Sequence, residues 1–452
     1  MQSDAKPMAT PGVKTTFARL PRLAQESKAG FYLVLAYLFF EFGRPEELTG
    51  FRGIPFGTGF SVLILLNVLW SGKLEFSRLQ TKLWLPLLGV LAIHVPIAAN
   101  NFWALMTFKD MFLLYCVYLG IVTFVDSLEK MMTVMKLWLG IHGFLAVWGI
   151  THGGFGIGAW MGDENDFCMV MNMVVPFAYF LLFSATGVVQ KMKYLGFLGV
   201  FILAAMSSLS RGGFFGLASV GVYCWYRSPK KLNALIVIAV AVLFMLLLAP
   251  EKYWGEISSS TTDETMSQEG TGGARLYTWG IGMKMFYANP IIGIGQSNFP
   301  WTFDLYEAGE KFNDRSFGGR QAHSAWVTLI SELGLVGIVI IGAMLLQCYK
   351  DLKLVRKRLS PVMPKQQHGQ TVQVGEDGRI YLARAMEGSL IGFIVSSVFI
   401  STLWYPSLWI MMAFVVALRN ISDVEGGELR KEAIRSRNQM GVPLPRLGEA
   451  AD

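Results

Sequence analysis

Residues Phe317–Gly334 read FGGRQAHSAWVTLISELG, and the apolar run that begins inside this stretch continues to about residue 348. A run of roughly twenty apolar residues is long enough to cross the hydrocarbon core of a bilayer as a helix. Similar blocks, separated by short polar pieces, recur along the 452-residue chain. The chain is 53% hydrophobic and 16% charged, against roughly 25% charged in soluble domains, and its mean hydropathy is +0.43. The fold class these features predict is an all-α polytopic membrane protein. Within it, Arg320 and His323 are unusual: a cation and an imidazole three residues apart at the mouth of an apolar helix.

About twelve spans are expected, over 30–43, 54–71, 83–99, 110–125, 132–150, 167–186, 194–209, 213–227, 232–249, 324–348, 381–400 and 403–419. The short first span and the tight joint between the last two leave eleven as the alternative count. The N-terminal segment lacks the short charged start and small-residue cleavage site of a signal peptide, so the first span is expected to be retained. Lys and Arg in short connections report orientation. Lys6, Lys14, Arg19, Arg22 and Lys28 precede the first span. Skipping every second connection then gives Lys73, Arg78 and Lys82; Lys130 and Lys136; Lys191 and Lys193; and Arg227, Lys230 and Lys231. Lys350, Lys353, Arg356, Lys357 and Arg358 fall on the same side. That side is read as cytoplasmic, with both termini on it. The net charge of +7 is accounted for by these loops and the tail facing anionic lipid headgroups; no nucleic-acid partner is implied, and the lipid bilayer is the first partner expected. Cys116, Cys168, Cys224 and Cys348 all fall within spans, where no metal spacing links them.

The expected organisation is a cytoplasmic N-terminal segment (1–29), spans one to nine (30–249), a long outer loop (250–322), spans ten to twelve (323–419) with a cytoplasmic connection at 351–380, and a cytoplasmic tail (420–452). Long structureless loops inside compact proteins are usually functional or disordered. The early part of this one, SSSTTDETMSQEGTGG, reads as mobile. ARLYTWGIGMKMFYANP reads as an amphipathic helix opened by Arg275, with Leu276, Trp279, Met283 and Phe286 at helical spacing, lying on the membrane surface or packed on the spans. Pro290 ends it, and IIGIGQSNFPW turns back toward the membrane. No internal repeat of the kind found in inverted-repeat transporters is visible.

Charge at the outer boundary is scarce. Arg211, in SSLSRGGFFG between spans seven and eight, sits at or just below the surface, where an unpaired guanidinium costs several kcal/mol. It therefore meets an anion: a ligand, a lipid phosphate, or an acid among Asp163, Glu164 and Asp166. Gly212 and Gly213 permit close approach of a ligand or another helix. Arg275 at a helix start opposes the helix dipole, an arrangement more sensible with a bound anion; an ordinary surface arginine is the plainer reading. His323 lies at the interface, where its pKa is near working pH; the plainer reading is a capping or headgroup-contacting residue. His94 and His142 are mid-span core groups. Residues 250–322 hold nine acids and six bases, so these arginines are not part of a general positive field. Several arginines and one histidine on one face suggest a polyanion and a proton transfer, and paired phosphates suit arginine forks.

With SRGG after an apolar span, GIGQSNF late in the loop, RQAHSAW…ELGLVG leading into a span, and DENDF at 163–167, the chain resembles the O-antigen ligase and polymerase superfamily along most of its length. Ser324 after the histidine departs from the Asn frequent in polymerases and leans toward a ligase. The resemblance implies a membrane-embedded glycosyltransferase of GT-C-like architecture in the bacterial inner membrane, inverting, with no cofactor and no metal. Its donor would be an O-antigen glycan on undecaprenyl diphosphate, its acceptor a sugar hydroxyl of lipid A–core, and its face periplasmic. Arg211 and Arg275, with Arg320 in support, would stabilise charge on the leaving diphosphate. His323 would be the general base or a diphosphate ligand. An O-antigen polymerase or a pilin oligosaccharide ligase is the near alternative. A lipid-linked oligosaccharide transporter is the distant one, and predicts ionisable residues lining the spans, where only His94, His142, Glu332 and Glu387 are found.

Overall fold

A lipid-buried backbone must satisfy its own polar groups, which restricts apolar spans to helices or closed barrels. The computed structural model takes the first solution. It describes residues 28–228 except 52 and 159, five positions between 231 and 239, residues 271–359 except 311 and 313–315, and residues 378–439. Most of the ninth expected span, the SSSTTDETMSQEG part of the loop, most of the 351–380 connection and both chain ends lie outside the described residues.

The elements are α1 (Lys28–Gly43), α2 (Pro45–Leu48), α3 (Phe56–Ser71), α4 (Leu79–Ile97), α5 (Asn101–Phe124), α6 (Leu128–Thr151), α7 (Glu164–Ser184), α8 (Val188–Ser207), α9 (Arg211–Arg227), α10 (Thr271–Ala288), α11 (Phe299–Glu307), α12 (Ala325–Leu359), α13 (Gly378–Ser396) and α14 (Pro406–Gln439). Among the described residues there is no β-sheet, and eight helices are long and apolar enough to cross a membrane: α4 to α8 and α12 to α14. The chain is therefore an all-α multi-pass membrane protein. Helices α1, α3 and α9 also stand where spans were expected, but have 16, 16 and 17 residues. At 1.5 Å per residue each is about 25 Å long, short of a hydrocarbon core of about 30 Å. α14 runs on to Gln439, well into the segment read as a solvated tail.

α7 and the first part of α14 are the most buried of these helices, and α7 packs against α8, α9 and α13. Asn172 of α7 donates to the Gly213 carbonyl of α9 at 2.8 Å and to Ser396 Oγ of α13 at 3.1 Å. Gly213 and Gly216 make this approach possible, since a Cβ there would lie 2.2 Å from Cys168 Sγ and 2.0 Å from Ser396 Oγ respectively. The glycines after Arg211 thus serve helix packing. All four cysteines are buried and free.

Two expectations for the loop and the tenth span need correction. The span is not one uninterrupted helix: α12 is broken at Gly334, which has φ 61° and ψ −156°. The break strips backbone groups of their helical partners, and the segment 290–295 replaces them. Leu335 and Val336 N–H donate to the carbonyls of Pro290 (2.9 Å) and Ile291 (3.0 Å). Ile294 and Gly295 N–H donate to those of Ser331 and Glu332, both at 3.0 Å. The second correction concerns α10. It buries Thr278, Ile281 and Met285, while Leu276 is exposed and Trp279, Met283 and Phe286 are only partly covered. The expected apolar face is rotated because α10 packs against α12 and inserts its smaller side chains into that contact. Arg275 is the fifth residue of this helix, not its opening residue, so its charge does not stand at the exposed amides of the first turn.

The GIGQSNF segment is a polar plug between α4, α5 and α12. Gln296, fully buried, donates to the Leu91 and Ala104 carbonyls (2.8 and 2.9 Å), and its Oε1 pairs with His94 Nδ1 at 2.8 Å. The Glu332 carboxylate accepts from Ser297 N–H (2.8 Å), Phe299 N–H (3.0 Å) and the Trp404 indole (3.0 Å). His142 Nδ1 is bonded to the Trp138 carbonyl at 2.7 Å. Glu387 accepts from the Tyr223 hydroxyl (2.8 Å) and pairs with Arg227 (3.2 Å) and Arg356. Of the four ionisable groups noted within the spans, His94, Glu332 and Glu387 thus tie separate segments together, while the His142 bond stays within its own helix.

The ψ of Gly334 lies in a region essentially closed to residues with a side chain, worth about 1–3 kcal/mol, and its Cβ would lie 2.6 Å from the Ile291 carbonyl oxygen. Gly334→Ala is expected to lower the thermal unfolding midpoint of the detergent-purified protein by several degrees. Gly342→Ala, in the same helix with open space around it, is expected to leave the midpoint unchanged or raise it slightly.

Candidate active site

Three helix N-termini meet at one end of the bundle. Asp163 caps α7 by accepting from Asn165 N–H at 2.8 Å, Ser210 caps α9 by accepting from Gly213 N–H at 2.9 Å, and Ser324 accepts from Val327 N–H at 3.4 Å at the start of α12. Short polar side chains favour this position because their oxygens satisfy first-turn amides. The two serine caps share a further feature. The residue before each is left-handed without being glycine: Leu209 at φ 54° and His323 at φ 47°. Such conformations cost free energy and persist only where surrounding structure holds them. They turn the chain so that Arg211 opens α9 and His323 stands just outside α12.

Cross-links between distant segments hold the site. The Ser210 hydroxyl donates to Asn165 Oδ1 at 2.7 Å, joining α9 to α7. The Tyr405 hydroxyl donates to Asp166 Oδ2 at 3.2 Å, joining the start of α14 to α7. The Trp279 indole donates to the Ala322 carbonyl at 3.0 Å, tying α10 to the residue before His323. The Trp326 indole donates to the Ile394 carbonyl at 3.1 Å, tying α12 to α13. None of these pairings has a local sequence signal: Trp279 was expected only on the apolar face of its helix, Asn165 stood only within the DENDF motif, and Tyr405 was not singled out.

Arg211 and Arg275, from opposite sides of the long loop, line one cleft of about 310 Å³, together with Glu164, Asn165 and the turn 208–210. The Arg275 guanidinium lies over the Phe399 ring, 5.9 Å from its centroid, a distance at which a cation is attracted to the ring face. Burial lowers the Arg275 pKa, and the Arg211 charge lowers it further, while Asp163 and Glu164 oppose the shift. Two cations share this cleft, each raising the free energy of the other, an arrangement that an anion between them relieves.

His323 is not part of the cleft wall, and it is exposed. Its pKa is nonetheless lowered, first by partial burial among its neighbours and then by the Arg275 charge; Asp163 opposes this and Arg320 adds to it. The physical consequence is an imidazole held neutral at neutral pH. Arg320 is exposed, and its guanidinium lies 4.3 Å from the Phe317 ring centroid. Like His323 it does not line the cleft, so the structure brings Arg211 and Arg275 together in one cleft and places His323, within range of the Arg275 and Arg320 charges, and Arg320 outside its wall. Among the described residues, no group of three or more His, Cys, Asp or Glu is placed to hold a metal ion.

Residues 196–342 match the family model described as O-antigen ligase. This segment belongs to the O-antigen ligase family. The O-antigen ligase segment runs from α8 to the first part of α12, and so contains all three arginines, His323, α10 and the GIGQSNF plug. It leaves out the Asp163–Asn165 wall, which packing alone adds. No curated protein matches the chain.

Because the Arg275 charge lowers the His323 pKa, Arg275→Gln is expected to move the His323 titration upward. NMR of the histidine-labelled protein reads this directly: the wild-type midpoint lies below that of an ordinary imidazole, and the variant midpoint lies above the wild-type one. Lys284→Gln, which removes a charge from the same helix, is expected to leave it in place.

Proposed function

We propose that the chain transfers an O-antigen glycan from undecaprenyl diphosphate to a sugar hydroxyl of lipid A–core, the step that completes lipopolysaccharide. The observation that carries this reading is the shared cleft of Arg211 and Arg275 beside an imidazole held neutral. The acceptor oxygen attacks C1 of the first donor sugar. The C1–O bond to diphosphate breaks with inversion, and its electron pair moves onto the leaving oxygen. Arg211 and Arg275 stabilise that charge, with Arg320 entering from the rim. His323 takes the acceptor proton, for which a depressed pKa is the right preparation because only the neutral ring accepts. No cofactor is assigned a role, and metal independence is part of the proposal.

The proposed orientation follows the Lys and Arg distribution: both termini and the 351–380 connection are cytoplasmic, and the cleft faces the periplasm from a GT-C-like helical scaffold in the inner membrane. The ion pairs support it. Arg78–Asp423, Arg227–Glu387 and Arg419–Asp423, at 2.5, 3.2 and 3.1 Å, lie at the end of the bundle opposite the arginine cleft. The engagement of His94, His142, Glu332 and Glu387 in structural bonds speaks for an enzyme over a transporter, which needs ionisable groups along a path.

Reconstitution of purified protein with lipid-linked glycan and lipid A–core, in the presence of a chelator, tests reaction and metal independence together. Transfer is expected to persist with the chelator; product on a growing glycan instead of lipid A–core would indicate a polymerase. His323→Ala is expected to reduce turnover by roughly 10²–10⁴-fold, the usual scale for a general base, in protein that inserts normally. Arg211→Ala and Arg275→Ala are expected to weaken donor use sharply. Failure of Arg211→Lys to restore it would indicate forked contact with phosphate.

A further inference from the structure

A second cleft, of about 400 Å³, opens between the C-terminal end of α1, the N-terminal end of α3, α5 and the start of α14. These ends place it on the same side of the bundle as the arginine cleft. The 152–163 connection is their common wall: Gly153 and Phe155 face the arginines, and Trp160 faces the second cleft. Tyr405, which also lines the second cleft, bonds to Asp166 next to the arginine cleft.

The two clefts carry opposite charge. The second holds three carboxylates, Glu41, Glu46 and Asp110, and one guanidinium, Arg44; Asp110 also pairs with Lys109 at 3.1 Å, outside the lining, which leaves an acidic excess. Arg44 pairs with Glu41 at 3.3 Å and with Glu46 at 3.8 Å. Glu46 Oε2 is buried and has no hydrogen-bond partner among the described residues. Trp160, 8% exposed, aims its indole N–H toward Glu41 without completing a hydrogen bond. Unsatisfied buried polar atoms cost about 1–3 kcal/mol each unless a ligand or water meets them. A phosphate is repelled by this charge. A pyranose fits it: hydroxyls donate to the carboxylates, the indole N–H donates to a ring or hydroxyl oxygen, and the C–H face lies on aromatic rings.

We propose that this cleft is a saccharide subsite that holds a neutral or amino sugar of the acceptor beside the arginine-lined diphosphate cleft. The inference rests on the glycosyl-transfer reading above. It divides the labour by charge, so that the anionic half of the reaction is drawn to one cleft and the hydroxyl-bearing half to the other.

The test is intrinsic tryptophan fluorescence of the full chain in detergent, titrated with deacylated, dephosphorylated core oligosaccharide and, separately, with inorganic diphosphate. The oligosaccharide is expected to change the emission of the cleft tryptophans. Glu46→Gln and Asp110→Asn, each tested alone, are expected to weaken its binding about tenfold or more, the scale of one hydrogen bond to a charged group. Diphosphate binding should be unchanged in both variants, and Arg211→Gln should show the reverse pattern. No response to oligosaccharide, or a response that neither carboxylate variant alters, overturns the saccharide subsite while leaving diphosphate binding to judge the donor reading. Loss of diphosphate binding in the wild type, with oligosaccharide bound, overturns the donor reading alone.

Discussion

The exchange of hydrogen bonds at Gly334 is the constraint on which the outer half of the molecule depends. A helix broken inside a membrane protein exposes amides and carbonyls that lipid cannot satisfy. Here the segment 290–295 supplies both kinds of partner from one short stretch. Once it is docked there, Gln296 is carried into contact with α4 and α5, and Ser297 and Phe299 are carried onto Glu332. The same docking sets where α10 lies along α12. Through Trp279 and the Ala322 carbonyl, it sets where the chain turns at His323. The break thus contributes to the frame in which the Arg275 charge acts on His323.

Charge is distributed over this frame with a consistent logic. At one end of the bundle, acids and bases are paired across helices, as in Arg227–Glu387 and Arg78–Asp423. At the other end, two cations are brought into one cleft beside Glu164, and Asp163 and Glu164 act on the Arg275 charge. Paired charges of the first kind hold helices together. Like charges gathered as in the second raise the free energy of the empty site and lower that of an anion-bound one. Burial first, and then the Arg275 and Arg320 charges, lower the His323 pKa, while Asp163 opposes them.

Much of this was legible in the chain itself. Apolar block length predicts the helices, because a bilayer imposes a minimum span, and the described helices stand where the blocks do. The scarcity of outer charge singles out Arg211, Arg275 and His323, because an ionisable group at a lipid boundary is costly without a partner. The break in α12 was not legible. Gly334 is one glycine among several in that run, and only the partner segment 290–295 distinguishes it from Gly342. The buried face of α10 was misjudged for a related reason: hydrophobic spacing reports which residues are apolar, not which face a neighbouring helix covers.

By itself, then, the sequence determined that this is a helical membrane protein with a small set of unusual polar residues, since span length and the cost of buried charge are local properties of the chain. Tertiary structure decided which of those residues meet. It put Arg211 and Arg275 in one cleft, left Arg320 over Phe317 at the rim, turned Gly213 and Gly216 into helix contacts, and opened an acidic cleft beside the basic one. The physical reason is that such proximities arise from packing and hydrogen bonds between segments far apart in the chain, such as Ser210 with Asn165 and Tyr405 with Asp166, for which no spacing along the sequence carries a signal.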